Sequence, residues 1–286
     1  MMRAIKFQQT VIPHISASSD RKGRGEKILV AGATGQLGAR VLRELRARGY
    51  WTRALVRDAG RLREVRDIDG VDDETAAAPR QSAGAASVLA DDVFVGDATR
   101  PETLGGVCDG IDVIVSTLGA PLTVALSKGR DDYRGVDYLG NKHLLDRAVE
   151  AGVKKFVYVS VFGADRYGGL EYVRAHEDFV RELRASSLDY AVVRPTGFFS
   201  AFAEILRMAR KGRVALVGEG DKRTNPIHES DLAAVCGDAV EDARREYRGG
   251  RAGDLRPEGG HRAGVRRARE KAENNEGAGG RVQASA

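Results

Sequence analysis

Lys27-Ile28-Leu29-Val30-Ala31-Gly32-Ala33-Thr34-Gly35-Gln36-Leu37-Gly38 is the stretch that decides the fold. An unbroken apolar run with no polar alternation reads as a strand covered on both faces. It ends in glycines at Gly-x-x-Gly-x-x-Gly spacing, and from Leu37 to Arg48 the apolar residues recur as on a helix. A glycine-rich turn between strand and helix lets backbone N–H groups approach a pyrophosphate, and the helix presents its positive dipole end to the same anion. Gly32, Thr34, Gly35, Gln36, Leu37 and Gly38 are therefore candidate dinucleotide-binding residues. Three glycines also make a plain tight turn; the strand before and the helix after favour the binding reading.

Working outward, the same alternation continues. Strands are expected at Lys27–Ala31, Thr52–Val56, Asp92–Val95, Val113–Ser116, Lys155–Ser160 and Tyr190–Val193. Helices are expected at Leu37–Arg48, Pro101–Cys108, Tyr138–Ala151 and Tyr172–Ser186. Strand–helix alternation with nearly continuous apolar strands, such as Phe156-Val157-Tyr158-Val159, is the pattern of an α/β fold, a doubly wound parallel sheet of Rossmann type. Residues 26–246 form that domain, and the stretch 67–90, acidic and then Ala/Gly/Ser-rich, reads as a mobile insertion within it.

Composition sets limits. No run of the 286 residues approaches the ~20 continuous apolar residues that span a bilayer. Two cysteines, Cys108 and Cys236, cannot make a disulfide framework, so a cytoplasmic setting is expected. Residues 1–25 read as a disordered extension; Arg3, Lys6, three serines and no acid before Asp20 leave organelle targeting open. The net charge of +5 is concentrated at the end: from Tyr247 onward nine Lys and Arg face five Asp and Glu. The body is close to neutral, which argues against a nucleic-acid or membrane role for it and leaves a small molecule as the expected partner.

Gly-Ala-Thr-Gly-x-x-Gly resembles the short-chain dehydrogenase/reductase superfamily in its extended or atypical branch, the NmrA-like NAD(P)-binding proteins. Further matches fall in family order from about Lys27 to Val240. They are Gly96-Asp97 after the third strand, Ser116-Thr117-Leu118-Gly119 ending the fourth, Tyr158-Val159-Ser160 ending the fifth and Val193-Arg194-Pro195-Thr196-Gly197 ending the sixth. The resemblance implies that Asp97 contacts the adenine, that Thr117, Leu118 and Gly119 lie beside the ribose and nicotinamide, and that Arg194 and Pro195 border the cofactor. It also places substrate under Phe198, Phe199 and the segment Ala201–Lys211.

The residue after the second strand bears on the type of cofactor. An acid there binds the ribose 2′-hydroxyl of NAD, whereas a 2′-phosphate needs positive charge. Arg57 stands at that place, with Arg53 nearby, which favours NADP; a solvated Arg57 with Asp58 turned to the ribose would favour NAD. Orthodox family members use Ser, Tyr and Lys, with Lys four residues after Tyr. Ser160 and Tyr172 keep a plausible interval, but His176 replaces the lysine. One helical turn after Tyr172, His176 faces the same side, yet it is mostly neutral at pH 7. The expected function is hydride transfer from NADPH to a small carbonyl or activated alkene; the alternative is a non-catalytic redox sensor or assembly factor. His228, Glu229 and Asp231 read as a capped helix start with acids in the first turn and not as a metal site.

Residues 247–286 are rich in Gly and Arg and carry few apolar side chains, so they read as a disordered basic tail. They also read as the product of a frame shift. Permitted codons for Arg248–Gly253, read one base later, give Glu-Val-Gly-Gly-Pro-Glu, which resembles the family's continuation at this point.

Overall fold

The computed structural model describes residues 25–64, 89–120, 133–200 and 225–249. The extension before residue 25, most of the insertion at 67–90, the segment Ala201–Lys211 and the tail from residue 250 lie outside the described residues. Among the described residues, seven parallel strands form one sheet in the order β3-β2-β1-β4-β5-β6-β7. They are β1 (Lys27–Ala31), β2 (Trp51–Val56), β3 (Asp92–Val95), β4 (Val113–Ser116), β5 (Lys155–Val159), β6 (Asp189–Pro195) and β7 (Glu246–Gly249). The helices are α1 (Gln36–Ala47), α2 (Ala59–Glu64), α3 (Asn141–Glu150), α4 (Glu171–Ala185) and α5 (Glu229–Glu241). The order reverses between β1 and β4, which opens the crevice in which doubly wound sheets bind ligands.

The unbroken apolar strands have the physical cause read from the sequence. Ile28 and Val30 face one layer, where Val41, Leu42 and Leu45 of α1 and Leu232 and Val235 of α5 cover the sheet. Leu29 and Ala31 face the other, against Leu144 and Leu145 of α3 and Phe179, Val180 and Leu183 of α4. Both faces of each strand lose water, and each fully buried aliphatic side chain contributes about 1.5–3 kcal/mol. Between α1 and α5, Arg48 donates to Glu44, to the Ala234 carbonyl and to Asp238 at 2.7, 3.0 and 2.9 Å. Gly237 leaves it room, since a Cβ there would lie 2.5 Å from Arg48 Cζ.

Three expectations are corrected. Pro101–Cys108 forms only a 3-10 turn at Pro101–Thr103, because Thr103 Oγ1 donates to the Arg100 carbonyl at 2.8 Å and Gly106 takes φ +79°. The helix expected at Tyr138–Ala151 begins earlier, as a π-helical turn over Arg134–Gly140 that runs into α3. The boundary at Tyr247 also moves. Glu246–Gly249 pairs with β6 through Val192–Pro195, and Tyr247 is buried, so the ordered sheet reaches Gly249. A four-residue strand with one apolar side chain has no periodicity to read. Only its register against β6 reveals it.

Candidate functional site

The glycine turn is built by close approach. Gly32 has φ +78°, and a Cβ on it would lie 2.7 Å from Thr117 Oγ1, which donates to the Ala31 carbonyl at 2.9 Å. At Gly38 a Cβ would meet the Gly32 carbonyl oxygen at 2.1 Å. Any larger side chain would push α1 off the turn. The turn opens onto a cavity of about 370 Å³ that runs past the carboxyl ends of β1–β4. Gly32, Thr34, Gly35, Arg57, Asp97, Thr117, Leu118 and Gly119 all line it. Gln36, Leu37 and Gly38 form the first turn of α1 directly behind. The cavity and the space kept clear by three glycines fit a dinucleotide whose pyrophosphate faces the start of α1.

Positive charge at the β2 end is greater than the sequence showed. Arg61 on α2 lines the cavity with Arg57, and neither makes a side-chain ion pair among the described residues. Asp58 accepts from the Gly60 backbone N–H at 2.8 Å through Oδ1, which starts α2. Arg53 belongs elsewhere. It donates to Asp92 at 2.6 Å and to the Val107 and Asp109 carbonyls.

Arg194 and Pro195 do not border this cavity. Arg194 donates to Glu177 Oε1 at 2.5 Å, to Glu246 at 3.1 Å and to Ser160 Oγ at 3.3 Å, and it lines a second cavity, of about 390 Å³. Burial disfavours the Arg194 charge, but Glu177 and Glu246 outweigh it and hold the guanidinium above its ordinary value. Pro195 accepts the Phe162 backbone N–H at 3.0 Å. The second cavity runs from the loop after β5 along α4 beside β6 and β7, bounded by Phe162–Arg166, Glu177, Arg184, Arg194 and Arg248.

Ser160 and Tyr172 share no hydrogen bond among the described residues. Ser160 Oγ donates to Glu177 at 3.3 Å, while the Tyr172 ring meets Tyr133 and His176 with centroids 5.7 and 5.8 Å away. Burial pushes the Tyr172 phenol up, and Tyr133 and Asp137 add to the shift, so it holds its proton at neutral pH. His176 is not in the place of a catalytic lysine. Its Nε2 lies 3.1 Å from Asp137 Oδ1 and its Nδ1 lies 2.5 Å from the Tyr158 hydroxyl. Asp137 also accepts the Ala120 backbone N–H at 3.1 Å. With Asp137 accepting on both oxygens, Nε2 carries the proton and Nδ1 accepts from Tyr158, whose phenol burial holds well above its ordinary value. This buried chain ties β5 and α4 to the loop that floors the first cavity. Asp137 lies in no motif and carries no signal of its own in the sequence. His228 caps α5, accepting the Ser230 N–H at 3.2 Å.

A doubly wound parallel sheet with a glycine turn and a cavity at its switch point defines a dinucleotide-binding protein. The family model for NAD(P)H-binding domains matches residues 70–243, and the chain belongs to that family. Among curated proteins it is 29% identical to the chloroplastic divinyl chlorophyllide a 8-vinyl-reductase of Arabidopsis thaliana, over 84% of this chain and 56% of that protein. It is 31% identical to the photosystem II assembly factor Ycf39 of Cyanidium caldarium, over 60% of this chain and 47% of that one. The chain thus spans about half the length of these curated relatives. The Citrobacter triphenylmethane reductase complexed with NADP(H) shares the fold, with a TM-score of 0.57 at 20% identity over 77% of this chain and 68% of that one. Among the described residues no helix is long and apolar enough to cross a membrane.

Proposed function

We propose that the chain is an NADPH-dependent reductase that delivers hydride to an electron-poor alkene or carbonyl of a small molecule. One observation carries this reading. A second cavity opens at the loop after β5 and runs along α4, separate from the dinucleotide cavity and with Ser160 hydrogen-bonded to its Arg194. A protein that only senses the cofactor needs the first cavity alone. The reductases among its relatives support the reading, whereas the assembly factor Ycf39 supports the alternative of a non-catalytic sensor. That alternative also draws on His176, whose two ring nitrogens are both engaged.

Bound in the first cavity, NADPH supplies the hydride. The N–H groups of Gln36, Leu37 and Gly38 in the first turn of α1 would receive the pyrophosphate, and Arg57 with Arg61 would grip the 2′-phosphate. Thr117, Leu118 and Gly119 support the nicotinamide end, on a loop that Asp137 anchors through Ala120. Tyr172 would give the proton that completes the reduction; Ser160, donating to Glu177 and accepting from Arg194, would position that pair beside the acceptor, and His176 holds Asp137 and Tyr158 in place. Reduction consumes one hydride and one proton and leaves NADP⁺. For compartment, the chloroplastic relative supports reading residues 1–25 as an organelle-targeting segment. The test of the function is NADPH oxidation against a panel of enones, quinones and aldehydes, beside calorimetry of NADPH alone. Tight binding with no oxidation in any member rejects the enzyme and leaves the sensor.

A further inference from the structure

Arginine is crowded around the second cavity. Arg166, Arg184, Arg194 and Arg248 line it, and the acids within reach are Asp165, Glu177 and Glu246. Glu246 alone serves three guanidiniums: Arg184, Arg194 at 3.1 Å and Arg248 at 3.5 Å. Glu177 serves Arg194. Arg166 makes no side-chain ion pair among the described residues. Among the described residues four positive charges therefore face three negative ones, and the side chain of Arg248 is more than half exposed, bonded there to Glu246 through Nε.

We propose that this cavity holds a carboxylate of the substrate, gripped by Arg166, Arg184 and Arg248, a reading that rests on the reductase function and narrows its substrate to unsaturated acids. One missing negative charge is what a carboxylate supplies; a dianionic phosphate would overshoot it. Guanidinium forks match a carboxylate with paired donors, and Arg keeps its charge at every working pH. Glu246 resists being displaced. Although burial opposes its charge, Arg194 and Arg184 hold its carboxyl below the usual range, so it stays ionised and keeps the three arginines converged. Arg194, the buried member, links the anion site to Ser160 through its own hydrogen bond. Phe162 lines the same cavity and is half exposed, which offers an apolar surface to the unsaturated body of the acid.

The experiment uses the full chain saturated with NADPH, and trans-cinnamate with its methyl ester as probes. Calorimetry reads binding, and absorbance reads NADPH oxidation. The acid is expected to bind about tenfold tighter than the ester, the worth of a charge-assisted contact of this kind. Arg166→Ala with Arg248→Ala should bring that ratio close to one, and Arg166→Lys with Arg248→Lys should restore part of it by keeping the charge. Equal binding of acid and ester, or no binding of the acid at millimolar concentration, overturns the proposal. Inorganic phosphate displacing the acid better than acetate does would overturn the carboxylate assignment. The two readings fail separately. Preference for the acid, with no NADPH oxidation by it or by any member of the panel above, retains the anion site and removes the reductase, whereas equal oxidation of ester and acid retains the reductase and removes the site.

Discussion

Replacing Gly38 by Ala tests the packing that makes the dinucleotide turn. The new Cβ would lie 2.1 Å from the Gly32 oxygen, 2.7 Å from the Gly32 carbon and 2.9 Å from Thr117 Oγ1. Ordinary contact begins near 3.4 Å, so more than an ångström must be found. Gly32 cannot supply it cheaply, because Thr117 leaves no room even for a Cβ beside it and its carbonyl accepts the Gly35 N–H at 2.9 Å. Overpacking of this kind costs about 1–3 kcal/mol. A gain of about 0.5–1 kcal/mol from placing Ala in a helix offsets part of it. A net loss of roughly 1 kcal/mol should lower Tm by about 2–4 °C in a domain of this size. NADPH affinity should fall at least tenfold, because the N–H groups that face the pyrophosphate move with the turn. Gly105→Ala is the control, since nothing lies within 4 Å of a Cβ there. Scanning calorimetry and fluorescence titration read both effects. A Gly38→Ala variant that melts and binds NADPH like the parent would refute the packing argument.

Other consequences follow from the same geometry. Arg57→Ala with Arg61→Ala should erase an NADPH-over-NADH preference of roughly tenfold to a hundredfold, read by calorimetry with both cofactors, since each charge-assisted contact is worth about 1.5–3 kcal/mol. Tyr158→Phe leaves the buried His176 Nδ1 without its donor and should cost about 1–3 kcal/mol in urea unfolding, with weakened NADPH binding through the Asp137–Ala120 anchor. Glu246 has a folded pKa below its ordinary 4.5, so its contribution to stability is present above that value and is lost as pH falls through the folded pKa. Melting temperature measured from neutral pH downward should therefore decline less steeply in Glu246→Gln than in the parent at the acid end.

Much of this was legible because it is local. β1, β3 and β4 lie where the apolar runs place them, and the glycine turn is where Gly32, Gly35 and Gly38 place it. What escaped depends on contacts between distant residues. Arg61 escaped because α2 is a six-residue helix whose place at the cavity is set by the Asp58 cap. Arg194 carried a family-like Arg-Pro after a strand, but Glu177 and Glu246, 17 and 52 residues away, turn it to the other cavity. His176 was visible by its interval from Tyr172, while its partners Tyr158 and Asp137 come from β5 and a π-helical turn. β7 escaped because Tyr247 is its one apolar residue.

Following label from the cofactor tests the central claim most directly. The full chain is incubated with NADPH deuterated at the transferable position and a mixture of electron-poor alkenes, quinones and aldehydes, and the products are read by mass spectrometry. A reductase built as described places one deuterium on a reduced product, and Tyr172→Phe slows its appearance. NADPH that binds tightly while no product carries label would contradict the account and make the chain a binding protein.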